Sequence, residues 1–166
     1  MQNEFVRDVI NTIERHKVSA SWIELEITES VVMADIKWIV RCLNELKAYG
    51  VRIALDDFGT GYSSLNQLQQ LPLDTLKIDR SFIQGLGDES EQMNSVTATI
   101  ASIADIYGLD TVAEGIETEQ QLLEVIKLGI DVAQGFYYSK PLPIDEVIVA
   151  IDQINQFSGD ISDKAA

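Results

Sequence analysis

Arg52-Ile-Ala-Leu-Asp-Asp-Phe-Gly-Thr-Gly-Tyr-Ser-Ser-Leu65 is the most informative run of residues in the chain. Val51 to Leu55 reads as a buried strand that ends in two adjacent carboxylates, Asp56 and Asp57, before the chain breaks into a glycine-rich turn. A strand of this kind delivers acidic groups to a site at its own end. Carboxylates that close raise each other's pKa and burial adds to the cost, so both stay ionised only when a cation or hydrogen-bond donors offset the penalty. A hard divalent ion such as Mg2+ or Mn2+ is the simplest offset, because it takes oxygen ligands and keeps bound waters. The competing reading is a strand followed by an Asp-rich turn with no chemistry. Gly59-Thr-Gly61 lacks the spacing and the Lys of a P-loop, so these glycines read as loop flexibility rather than as a phosphate cradle.

Outward from this stretch the chain alternates strand and helix. Residues 3–16 place Phe5, Val9, Ile10 and Ile13 on one helical stripe. Trp22 to Thr28 changes to a period of two, with Ile23, Leu25 and Ile27 on one face and Glu24, Glu26 and Thr28 on the other, which predicts a strand. Asp35 caps a helix with the stripe Ile36, Ile39, Val40, Leu43 and Leu46, closed by Gly50. Further strands are expected at Leu73 to Ile78, Leu109 to Ala113 and Ile130 to Ala133. Between them lie a helix through Val96, Ile100, Ile103 and Tyr107, and one that Thr118 and Gln121 open with a capping box. A last helix carries Val147, Ile148, Ile151 and Ile154.

Three times a helix ends in a residue plus glycine and runs straight into an apolar strand: Tyr49-Gly50-Val51, Tyr107-Gly108-Leu109 and Leu128-Gly129-Ile130. That joint is the mark of repeated βα units, which imply parallel strands and right-handed crossovers. Functional side chains at every strand end suit a barrel with its site at the C-terminal face, and about five strands make an incomplete TIM-type (β/α) barrel. An open doubly wound sheet is the alternative.

Composition narrows the function. The 166 residues carry 12 basic and 27 acidic side chains, a net charge of −15. That balance opposes any sequence-independent grip on a nucleic acid polymer or an anionic membrane surface, and an anionic ligand would need local help from metal. Cys42 is the single cysteine and lies in a helical pattern, so no disulfide forms within the chain and a reducing compartment is expected. His16, beside Arg15 and Lys17 near a helix end, reads as a dipole-compensating surface residue. With no signal-like N-terminus and no long apolar run, the expected location is the cytoplasm.

The Asp-Asp-Phe-Gly-Thr-Gly-Tyr-Ser-Ser segment resembles that of EAL domains, bacterial phosphodiesterases that open the signalling dinucleotide cyclic di-GMP. The resemblance recurs, in the family's order, at Glu24-Leu-Glu-Ile-Thr-Glu-Ser30, Leu76-Lys-Ile-Asp79, Ala113-Glu-Gly-Ile-Glu117 and Ala133-Gln-Gly135. It implies a partial EAL domain over residues 1–157, followed by a polar, disordered tail over 158–166. By the same resemblance Glu26, Asp56 and Asp57 are metal ligands for Mg2+ or Mn2+. Lys77 steadies the attacking water or the phosphate, Glu114 is the general base and Gln134 is a polar contact in the site. Glu29 is similar to the residue that holds the Asp57 to Ser64 loop, and Glu117 to a supporting acid of the Ala-Glu-Gly motif. The expected ligand is cyclic di-GMP. The Glu-Ala-Leu motif and the following strand with its metal-binding Asn are not among these residues. The expectation is therefore a catalytically impaired fragment that retains nucleotide, metal or protein binding, the alternative being an active phosphodiesterase that yields the linear dinucleotide. Open strand edges at Trp22 to Thr28 and Ile130 to Ala133 imply a homo-oligomer, with Tyr62 to Gln70 as a second pairing surface suggested by the family.

Overall fold

The computed structural model describes residues 4–60, 68–86 and 91–162. Five strands, β1 Glu24–Thr28, β2 Arg52–Phe58, β3 Thr75–Ile78, β4 Asp110–Glu114 and β5 Val132–Gln134, form one sheet in the order β1-β2-β3-β4-β5. Every neighbouring pair is parallel. Helices α1 Glu4–His16, α2 Glu29–Ala34, α3 Ile36–Tyr49, α4 Arg80–Ile83, α5 Glu91–Tyr107, α6 Glu119–Lys127 and α7 Ile144–Ser162 accompany them. Strands that follow one another in space as they do in sequence build the wall of a barrel, whereas a doubly wound sheet reverses its order at a switch point. The barrel-like α/β reading is thus the one the molecule adopts.

Local chemistry explains the joints. The Asp35 carboxylate accepts the Trp38 amide at 3.1 Å to open α3. At the far end Gly50 takes a left-handed φ of 107° and donates to the Lys47 carbonyl at 2.9 Å. Helix α6 opens with the expected capping box: Thr118 Oγ1 accepts from the Gln121 amide at 3.2 Å, and Gln121 Oε1 accepts from the Thr118 amide at 3.1 Å. These bonds satisfy orphan amides at the helix start and fix where each strand begins.

Alternation along the strands then sorts the two faces. Ile53, Leu55, Leu76, Ile78 and Ala113 are buried in the core with Leu46, Ile83, Ile100, Leu122 and Val125 of the helices. The opposite face carries Glu24, Glu26, Arg52, Lys77 and Asp110 and lines an open groove. Two helices sit slightly rotated from their sequence patterns. Val6 rather than Phe5 is buried in α1, and Thr97, Ile100 and Ala104 rather than Val96 and Tyr107 form the inner stripe of α5. Helix α7 reaches Ser162, so positions 158–162, expected in a disordered tail, are helical; residues 163–166 lie outside the described residues. Of the proposed Tyr62 to Gln70 surface, positions 62–67 also lie outside them.

One glycine is demanded by packing. A Cβ on Gly135 would lie 2.1 Å from the Ile116 carbonyl oxygen and 2.3 Å from its nitrogen. Only a bare Cα lets the chain after β5 approach closely enough for the Ile116 amide to donate to the Gln134 carbonyl at 3.1 Å and for the Tyr137 amide to donate to the Ile116 carbonyl at 2.9 Å.

Candidate active site at the strand ends

The groove over the polar face has a volume of about 570 Å³. Two layers of side chains floor it. Near the strand starts, Arg52 reaches Asp110 at 2.6 Å, Glu24 at 3.1 Å and Thr75 at 3.1 Å, while the Thr75 hydroxyl donates to Glu24 at 2.6 Å. One guanidinium thereby ties β1, β2, β3 and β4 together. Its fork of donors suits several acceptors at once. The hydrogen bond to Asp110, then that to Glu24, raises the Arg52 pKa further, so it stays charged.

Further along the strands, the second layer centres on Lys77. Its Nζ lies 2.6 Å from Glu114 Oε1, 2.7 Å from Glu26 Oε1 and 3.1 Å from Asp56 Oδ1, with only 6% of its side chain exposed. Four strands each contribute one member. Burial by itself would lower the Lys77 pKa, but the nearby carboxylates of Glu114, Glu26 and Asp56 outweigh it and the net shift is upward. The carboxylates thus favour the charged ammonium over the neutral amine. Asp56 Oδ1, though 3.1 Å from that ammonium, is buried without a donor in hydrogen-bonding geometry.

Beside it β2 bulges. Three steps from Leu55 to Phe58 match two from Leu76 to Ile78 on β3, and Asp57 takes a left-handed φ of 57°. A bulge re-aims the side chains on either side of it, here the acidic pair. Burial first, then the charges of Asp56 and Asp79, raise the Asp57 pKa, and Lys77 only partly counters them. Asp79 itself goes the other way. Burial pushes it up, but donors from Ser81 and Arg80 hold it below its ordinary value.

These observations test whether a divalent ion suits the acids. Asp56 offers a buried oxygen that lacks an aligned donor, Asp57 is a carboxyl whose neighbours disfavour its charge, and both are hard oxygen ligands. The donor chemistry fits a metal at Asp56 and Asp57, with Glu26 adjacent. Among the described residues no three His, Cys, Asp or Glu side chains converge into a ready metal cluster; Glu26, Asp56 and Glu114 converge instead on the Lys77 ammonium.

The remaining expected residues are placed more loosely. Glu29 is the buried first residue of α2, directly after β1, and much of the loop it was expected to hold lies outside the described residues. Gln134 stands opposite Glu114 in the β4–β5 register and lines the groove. Glu117 faces outward, 3.5 Å from Arg80, whose side chain crosses over Gly115. The sequence reading missed the Arg52 cluster and Asp79. The signal for the first was present in the alternation of Glu24 with Glu26 and of Arg52 with Ala54, but it shows only once four strands are set in register.

The family model of the EAL domain matches residues 1–141. The chain belongs to the EAL family. It is 41% identical over 146 residues to the bifunctional diguanylate cyclase/cyclic di-GMP phosphodiesterase MucR of Pseudomonas aeruginosa, covering 88% of this chain and 21% of that protein. It is 39% identical to the cyclic di-GMP phosphodiesterase PdeA of Borreliella burgdorferi, covering 84% of this chain and 20% of that one. This EAL chain thus spans about a fifth of the length of those relatives. Among solved structures, the c-di-GMP complex of the MucR phosphodiesterase aligns with a TM-score of 0.82 at 40% identity, covering 88% of this chain and 59% of that one. The EAL domain of Mycobacterium smegmatis DcpA gives a TM-score of 0.84 at 40% identity, covering 92% and 68%. A manganese and cyclic di-GMP complex of Klebsiella pneumoniae BlrP1 is similar at 26% identity with a TM-score of 0.75, covering 84% and 36%.

Proposed function

We propose that this EAL chain carries the Lys77, Glu114 and aspartate-pair side of a metal-dependent cyclic di-GMP phosphodiesterase site, works in the cytoplasm, and is catalytically impaired when assayed as these 166 residues alone. The observation that carries the reading is the convergence of Glu26, Asp56 and Glu114 on the buried ammonium of Lys77. Acids from three strands held on one cation cost too much to be incidental surface chemistry. Similarity to cyclic di-GMP phosphodiesterases and to a c-di-GMP complex supports that dinucleotide as the ligand.

In the reaction, water adds to phosphorus, a P–O ester bond breaks and the cyclic dinucleotide opens to the linear one. Asp56 and Asp57, with Glu26, would hold Mg2+ or Mn2+, which neutralises phosphate charge and lowers the pKa of a bound water. Lys77 supplies a fixed positive charge towards the phosphate and the attacking water. Glu114, on the next strand and 21% exposed, accepts the proton that water loses. Gln134 orients substrate at the groove edge, while Glu29 and Glu117 brace the flanking loops. The net charge of −15 makes cation help at the phosphate a requirement.

The impairment follows from an incomplete shell: the Glu-Ala-Leu glutamate and the Asn-bearing strand are not in this sequence. A misplacement of about 1 Å can cost about a hundredfold in rate. Conversion of cyclic to linear dinucleotide with Mg2+ or Mn2+ tests both halves of the proposal. The chain alone is expected to turn over at least about a hundredfold more slowly than the same chain supplied with a separate polypeptide bearing a Glu-Ala-Leu strand. Glu114→Gln in the complemented pair should abolish the gain. Robust turnover by the isolated chain refutes the impairment, and a complemented pair indifferent to Glu114→Gln refutes the site.

A further inference from the structure

We propose that the Lys77 ammonium is a built-in stand-in for a divalent cation, holding Glu26, Asp56 and Glu114 together in the metal-free protein and yielding Asp56 when metal binds. Lys77 thereby sets how tightly the site takes metal. The inference rests on the reading of Asp56 and Asp57 as metal-holding acids, and it concerns a competition within the chain rather than the chemical step.

An ammonium has three N–H donors. Lys77 Nζ lies 2.6 Å from Glu114 and 2.7 Å from Glu26, and 3.1 Å from Asp56 Oδ1, which holds Asp56 by charge rather than by an aligned hydrogen bond. Asp56 is the loosest of the three, and its Oδ1 lacks an aligned donor. It is the contact most easily given up. With its side chain 6% exposed the ammonium has no route into bulk water, and its firmer contacts to Glu114 and Glu26 are where it stays.

Charge completes the case. One positive charge faces Glu26, Asp56 and Glu114, with Asp57 beside Asp56 on the bulge, so the cluster remains negative and attracts a second cation. Two cations sharing Asp56 would repel each other, the more so because the Lys77 ammonium is only 6% exposed. Metal entry and the Lys77–Asp56 contact are therefore alternatives. Without the ammonium, the metal-free acids repel one another and the metal becomes the sole counter-ion.

Calorimetric titration of the 166-residue chain with Mn2+ and with Mg2+ tests this, comparing wild type with Lys77→Met, and using Asp56→Asn as the control that removes the acid. Lys77→Met is expected to bind Mn2+ about tenfold or more tightly than wild type, and to gain more thermal stability from saturating Mn2+. Equal or weaker binding by Lys77→Met, with saturable binding in wild type, overturns the inference and leaves the metal reading standing. No saturable heat in any variant overturns both. If Lys77→Met does not fold, NMR of the side-chain ammonium in the 15N-lysine-labelled wild type serves instead. Its Lys77 signal should shift during Mg2+ titration with the midpoint seen by calorimetry, and a signal indifferent to saturating Mg2+ overturns the inference.

Discussion

Asp57 occupies a backbone conformation that side chains with a Cβ rarely adopt, at φ 57° on the extra residue of the β2 bulge. Aspartate tolerates the left-handed region better than most residues, yet it still carries a cost there, and glycine does not. Strain held at a cluster of acids is consistent with a residue kept for its chemistry. We expect Asp57→Gly to be more stable than Asp57→Ala by about 1 kcal/mol in urea unfolding, since both delete the carboxylate and only the alanine retains the strain. Equal stabilities would show that the bulge relaxes freely. The doublet Asp56-Asp57 was legible in the sequence as a carboxylate pair at a strand end. The bulge was not, because nothing in an Asp-Asp-Phe-Gly run states that its partner strand advances two residues while it advances three.

Where β4 meets β5, a single side chain fastens the strand starts. Asp131 Oδ2 accepts from the Thr111 amide at 2.8 Å and from the Thr111 hydroxyl at 2.7 Å, while the Asp131 amide donates back to that hydroxyl oxygen at 3.0 Å. The Thr111 hydroxyl, and then its amide, hold the Asp131 carboxyl below its ordinary 3.8. A depressed carboxyl lends stability that is complete above its unfolded value and lost as pH falls through the folded one. The stability gap between wild type and Asp131→Ala should therefore be full at neutral pH and shrink as pH falls from the ordinary carboxylate range through the lowered folded value. A gap unchanged by acid, measured by chemical denaturation, would mean that the carboxylate charge is not what holds the strands. The strands themselves, the capping box and the Gly50, Gly108 and Gly129 joints could be read from pattern because each is a local device. The Arg52 and Asp131 ties could not, since each spans at least 20 residues and exists only in the paired register. In α1 and α5 Ile13 and Ile100 are buried as expected, with Val9, Ile10 and Ile103 packed against the core, but Val6 rather than Phe5 and Thr97 rather than Val96 face inward, each one step of 100° around the helix.

Among the described residues β1 and β5 each pair on one side only, so the sheet of this chain has two open edges and a polar face with no cover. Trp22, just before β1, is 81% exposed, and Ile144 and Ile148 present an apolar stripe on α7. Unpaired strand edges are templates for association, and large exposed apolar side chains add to the gain from contact. Against this stands the net charge of −15, which makes copies repel. Which effect wins depends on salt, because a Debye length of about 10 Å at 0.1 M screens charges across an interface while leaving hydrogen bonds and apolar burial intact. We infer that the chain self-associates, and that it does so more strongly as salt rises. Light scattering coupled to size exclusion should show mass increasing with protein concentration, and the rise should come at lower concentration in 0.5 M salt, where the Debye length is about 4 Å, than in 0.02 M, where it is about 20 Å. Trp22→Ser should move the rise to higher concentration if the β1 edge is the contact. A constant monomer mass across salt and concentration would show that the two edges are protected by something other than pairing.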